Sequence, residues 1–113
     1  MGKRLVRKRA ADRDLADQVE HIAEAHPGAA RRYLLAVERA FERLLEMPEV
    51  GVRRAFKNRQ LEDLRMWPVP GFNNFLIFYR VTPRSVQIVR ILHGAQNIPR
   101  VLGETGREER KDG

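Results

Sequence analysis

Three arginines and a histidine in the C-terminal half, Arg65, Arg80, Arg90 and His93, have the types and placing that could do chemistry. Each lies in or at the end of a short, otherwise apolar run: 63–70 (DLRMWPVP), 75–81 (FLIFYRV) or 85–94 (SVQIVRILHG). A guanidinium there can clamp a phosphate, stabilise a pentacoordinate phosphoryl transition state or pair with a partner's carboxylates. His93, with an intrinsic pKa near neutrality, suits acid or base work beside it. The competing reading is structural. The arginines then pair with helix glutamates such as Glu38 or Glu42, and His93 hydrogen-bonds a turn. Strand alternation does not by itself put all four on one face, so both readings stand.

Other chemistries find less support. His21, His26 and His93 are the only histidines, and the first two stand five apart without a second ligand at a familiar metal spacing. Ser85, the only serine, sits in a Pro83-Arg84 turn with no glycine-framed elbow around it. There is no cysteine, which excludes disulfides and thiolate chemistry. Gly94, Gly103 and Gly106 are scattered and form no phosphate loop. Carboxylates gather on the predicted helices and at Glu62-Asp63, without the strand pair of a metal-dependent nuclease. No cofactor and no metal are expected.

Charge is the other conspicuous property. The 113 residues carry a net +7, which implies attraction to a polyanion or an acidic protein. Two basic clusters contribute: Lys3, Arg4, Arg7, Lys8 and Arg9, then Arg53, Arg54, Lys57 and Arg59. They read as phosphate contacts, as a charged edge strand plus a solvated loop, or as a dock for an acidic partner. No apolar run approaches the roughly 20 residues needed to span a bilayer. The basic N-terminus turns acidic before any apolar core, unlike a signal peptide. A cytoplasmic location, with no membrane partner, is the expectation.

The elements that must position these residues follow from periodicity. One domain is expected at this length. Residues 3–8 alternate weakly around Leu5 and Val6, as a short strand would. Ala11, Leu15, Val19 and Ile22 recur at helical spacing, with Asp12 and Asp14 at the favourable N-terminal end. His26-Pro27-Gly28 breaks this helix and opens a second, whose stripe is Ala30, Tyr33, Leu34, Val37, Phe41, Leu44 and Leu45. Met47-Pro48 stops it. Residues 50–60 read as a basic loop ordered around Phe56. Three strand runs follow, joined by turns at 70–74 and 82–84. Both faces of the last two runs are largely apolar, so one packs on the helices and the other needs further cover, in part from another chain. Residues 103–113 read as a polar, flexible tail.

In this order, the short strand, the helix hairpin, LRMWPVPGFNNFLIFYRV and VQIVRILHGAQNIPRVL resemble the RelE/ParE superfamily of type II toxin–antitoxin toxins. The likeness spans roughly residues 3–102 and rests most on Leu64-Arg65, Tyr79-Arg80 and Ile91-Leu92-His93-Gly94. RelE-like members cleave messenger RNA on the ribosome without a metal, using basic residues and often a C-terminal tyrosine. ParE-like members poison DNA gyrase. The family's ending, often His-Gly-Ala-Arg-Asp, here reads His93-Gly94-Ala95-Gln96-Asn97, and no tyrosine follows Tyr79. A neutral amide at Gln96 cannot stabilise phosphorane charge as a guanidinium does, so the resemblance favours the ParE-like branch.

The resemblance implies an α+β fold, a helix hairpin on a small, mostly antiparallel sheet of about four strands, over residues 1–102. Tyr33, Leu34, Val37, Phe41, Leu44, Ile77, Tyr79, Ile88 and Ile91 are the expected core. It also implies a toxin held by a cognate antitoxin, with DNA gyrase as target and the ribosome and mRNA as the alternative. Arg53, Arg54, Lys57 and Phe78 are the expected partner-binding residues. Arg65, Arg80, Arg90 and His93 remain the candidates for catalysis.

Overall fold

The computed structural model describes residues 2–112. The chain runs β1 (Arg4–Arg7), α1 (Arg9–Ala25), α2 (Pro27–Glu46), β2 (Val52–Arg53), a 3-10 turn (Arg59–Leu61), β3 (Arg65–Val69), β4 (Phe72–Val81), β5 (Ser85–His93) and α3 (Ile98–Asp112). One sheet has the order β1-β5-β4-β3-β2. β1 is parallel to β5, and every other pair is antiparallel. The fold is α+β as expected, with five strands instead of about four. The added one, β2, is a two-residue pairing with β3 and is too short to show alternation in the sequence.

α1 and α2 form the expected hairpin, with Pro27 in the first turn of α2, where its missing N–H costs nothing. Their stripes cover one sheet face. Ala11, Leu15, Tyr33, Val37, Ala40, Phe41 and Leu44 pack against Val69, Ile77, Tyr79, Val86, Ile88 and Ile91, all nearly inaccessible to solvent. Each large aliphatic buried there contributes about 1.5–3 kcal/mol. All nine expected core residues belong to this layer, Leu34 at its margin.

The opposite face is where the structure departs from expectation. Leu61, Leu64, Phe78, Val89 and Leu92 are covered by Ile98 and Leu102 of α3. The cover is thus supplied by this chain. Residues 103–112, read as a polar tail, continue α3, and the expected boundary at 102 falls inside that helix. Leu102 and Thr105 are buried, which anchors the helix to the sheet.

Two irregularities set the registers. Val69 pairs with Phe72 across Pro70-Gly71, and Gly71 has φ 83°, the Pro-Gly pattern of a type II turn. β4 therefore starts at Phe72, earlier than the strand run from Phe75. In β5, Phe78 pairs with Arg90 and Tyr79 with Ile88, leaving Val89 as the extra residue of a bulge.

Candidate functional site

The bulge decides where Arg90 goes. Regular alternation would place Val86, Ile88, Arg90 and Leu92 on one face. With Val89 inserted, Ile88 and Ile91 face the helix hairpin, while Val89 and Leu92 face α3. Arg90, paired with Phe78, reaches Thr105 of α3: its Nη1 donates to Thr105 Oγ1 at 2.8 Å. Its Nε and Nη2 donate to the two carboxylate oxygens of Asp14, each at 2.7 Å. Both side chains of that pair are mostly buried, 19% and 13% exposed, so solvent screening weakens the bidentate contact little.

Asp14 has a second task. β1 pairs with β5 only as far as Ile88, so Ile91, which pairs with Ile77 of β4 on one side, has no strand on the β1 side. Asp14 Oδ2 accepts from Ile91 N at 3.0 Å, and Gln18 Nε2 donates to Ile91 O at 2.8 Å. One helical turn of α1 thus stands in for the missing end of β1. Tyr33 of α2 donates to Gln18 Oε1 at 2.6 Å and closes the network. Burial, and then the nearby Asp14 carboxylate, push the Tyr33 phenol well above its ordinary value. Reading by residue type missed Asp14 and Gln18. A signal existed, because Gln18 interrupts the apolar stripe of Ala11, Leu15 and Ile22 at the position that faces the sheet.

The other expected site residues lie apart. Arg80 donates from Nε to both Asp63 oxygens, at 3.1 and 3.2 Å, and from Nη2 to Gln60 O at 2.9 Å. Arg65, opposite Tyr79, donates from Nη1 to Glu49 O at 3.2 Å and Gly51 O at 2.9 Å. It shares that loop with Tyr79, whose hydroxyl accepts from Gly51 N and donates to Pro48 O, both at 2.8 Å. Burial raises the Tyr79 pKa, against the opposing pull of the Gly51 N–H and Arg65. Where Glu38 or Glu42 were the expected partners, Arg80 contacts Asp63, Arg90 contacts Asp14 and Arg65 contacts backbone carbonyls.

His93 ends β5. Its Nδ1 accepts from Ala95 N at 3.0 Å, so the neutral ring carries its proton on Nε2. Its backbone N–H donates to Gln96 Oε1 at 2.7 Å, and its ring stands edge-on to Phe75 at 5.1 Å. An arginine at position 96 has no acceptor and could not make that contact. A cleft of about 360 Å³ opens here, lined by Asp17, His21 and Phe75 among others. Among the described residues no three His, Cys, Asp or Glu side chains form a metal-binding group. Nor is any described helix long and apolar enough to cross a membrane.

Of the expected partner-binding residues, Arg53, Arg54 and Lys57 are exposed, with the Arg54 guanidinium 5.5 Å from the Phe56 ring centroid. Phe78 is only 1% exposed beneath α3, so it offers no docking surface in this conformation. The N-terminal cluster is partly tied inward: Lys3 Nζ donates to Thr82 O at 2.7 Å, and Arg7 pairs with Asp12 at 2.7 Å.

A family model described as the ParE toxin of the type II toxin-antitoxin system parDE matches residues 5–98, from β1 to the first residue of α3. The chain belongs to the ParE toxin family. A solved structure, the chromosomal ParDE TA system from P. aeruginosa, contains a chain of the same fold. The TM-score is 0.67 at 21% identity, covering 80% of this chain and 95% of that one. No curated protein matches the sequence. Membership of the ParE family explains the order of elements; the Asp14–Arg90–Thr105 network is read from this chain alone.

Proposed function

We propose that this chain is the toxin of a type II toxin–antitoxin pair, that it acts by binding DNA gyrase, and that a cognate antitoxin neutralises it. The observation that carries this reading is the ParE family match over residues 5–98. The side-chain arrangement supports a binding role over RNA cleavage. Arg65 lies on the hairpin side of the sheet against backbone carbonyls, whereas Arg80 and Arg90 are engaged by Asp63 and Asp14. His93 Nδ1 already accepts a backbone N–H, which leaves it ill-placed as a base. Gln96 holds the turn that a catalytic guanidinium would have to occupy.

For the antitoxin, the exposed cations Arg53, Arg54 and Lys57 favour a partner segment of net negative charge. Val52 and Met47, 62% and 47% exposed, supply apolar contact next to them. β2 is the last strand of the sheet, so its outer edge suits an added strand. Expression of the chain in a bacterial host should arrest growth with an SOS response, and co-expression of the product of an adjacent small gene should relieve it. Primer extension on translated messages should find no codon-related cleavage. Cleaved transcripts without an SOS response would instead identify a ribosome-dependent endoribonuclease.

A further inference from the structure

Beneath the basic loop, a cleft of about 350 Å³ separates the 3-10 turn from the outer flank of α3, lined by Asn58, Gln60, Pro99, Arg100, Gly103 and Arg107. Its polar groups are chiefly donors. A guanidinium has no acceptor, and the Asn58 Oδ1 already accepts from Gln60 N at 3.0 Å, which turns the amide NH₂ outward. Gln60 is held from behind, because its carbonyl accepts from Arg80. Among the described residues no carboxylate lines the cleft, although Glu104 Oε1 lies 3.5 Å from Arg100 Nε.

Gly103 is the second observation. A glycine inside a helix weakens it relative to alanine, and some neighbour usually demands the gap. Here a Cβ at Gly103 would meet nothing within 4 Å. The chain's own packing gives no reason for this glycine, whereas a ligand lying against the helix flank does. Arg100 and Arg107 are two turns apart, about 10 Å along the axis. That separation exceeds one phosphate, and the long arginine side chains can close part of it to reach neighbouring phosphates of one strand. Arg53, Arg54, Lys57 and Arg59, exposed on the segment leading into the cleft, extend the positive charge into a track.

We propose that this cleft binds the phosphodiester backbone of a nucleic acid, with Arg100 and Arg107 on successive phosphates and no base readout. The proposal stands apart from the choice of gyrase as target, and its test needs no gyrase. Fluorescence anisotropy of the purified full chain would use a labelled 20-base-pair DNA duplex, a single-stranded RNA of equal length and a labelled polyglutamate peptide, from 50 to 200 mM salt. Either nucleic acid binds, and the tighter of the two names the source of the backbone. The pair Arg100→Ala and Arg107→Ala weakens duplex binding at least tenfold at 50 mM salt and lowers the log–log salt slope by about 1.8. Gly103→Glu, which sets a carboxylate into open space, weakens binding similarly while the melting temperature holds. Unchanged affinity and slope in both variants would overturn the proposal. So would arginine-dependent binding of polyglutamate alone, which would mark an acidic protein site.

Discussion

Arg90 and Gly51 show how a single residue can matter here for reasons its type does not announce. Arg90 has the charge of a phosphate ligand, yet it fastens α1 to β5 and α3 through Asp14 and Thr105. Arg90→Ala should therefore lower stability by about 2–3 kcal/mol, because the Asp14 carboxylate keeps a backbone N–H but loses its counter-charge. Arg90→Lys should recover little of this, since an ammonium cannot span both carboxylate oxygens and Thr105. Urea denaturation followed by circular dichroism checks both, and Arg90→Ala unfolding at the wild-type midpoint would contradict the structural role. Gly51 works by absence. A Cβ there would collide with the Tyr79 hydroxyl oxygen and come within 2.6 and 2.8 Å of two ring carbons. Gly51→Ala should cost about 1–3 kcal/mol by overpacking. Tyr79→Phe should not rescue it, because the ring carbons remain; rescue would mean that only the hydroxyl obstructs.

At the scale of elements, what was legible in the sequence was whatever repeats. The α1 and α2 stripes recur over several turns, so the hairpin and the core from Tyr33 to Ile91 follow from periodicity. The β5 bulge is a single extra residue with no compositional mark, and it moved Arg90 to the α3 face. α3 was hidden by its composition. Two glycines and a run of charges resemble a tail, although Ile98, Val101, Leu102 and Thr105 keep helical spacing over the one face that is buried. β2 could not be seen because two residues have no period. The site was less legible than the fold, since the partners of Arg65 are backbone carbonyls that any residue carries. If α3 is a structural layer, Leu102→Ala should cost about 2–5 kcal/mol, as for a core leucine. A loss below 0.5 kcal/mol, typical of a surface site, would mean that α3 is not docked in solution.

Over the whole molecule, charge and burial set the behaviour. Both tyrosines of the chain have pKa values raised above the ordinary 10.0, chiefly by burial. A raised folded-state value means that their contribution to stability is complete below pH 10 and is lost as the pH climbs toward the folded values. Absorbance at 295 nm should therefore show less tyrosinate at pH 10 than two free tyrosines would, with more appearing as the protein unfolds in alkali. Early titration of either ring in the folded state would contradict its burial. The net +7 acts at longer range. Reversing Arg53, Arg54 and Lys57 to glutamate should slow association with an acidic antitoxin roughly tenfold at low salt and flatten its salt dependence. An unchanged rate would leave this loop a solvated surface. If this ParE-family chain, with Arg65, Arg80 and Arg90 held by its own groups, acts by binding gyrase, purified gyrase will show it. The most direct measurement is supercoiling and cleavage-complex formation by purified gyrase with increasing amounts of this protein. Blocked supercoiling and accumulation of cleaved DNA, reversed by the antitoxin, are the expected result; unaffected gyrase, with cleavage of messages on translating ribosomes, would rule out this mode of action.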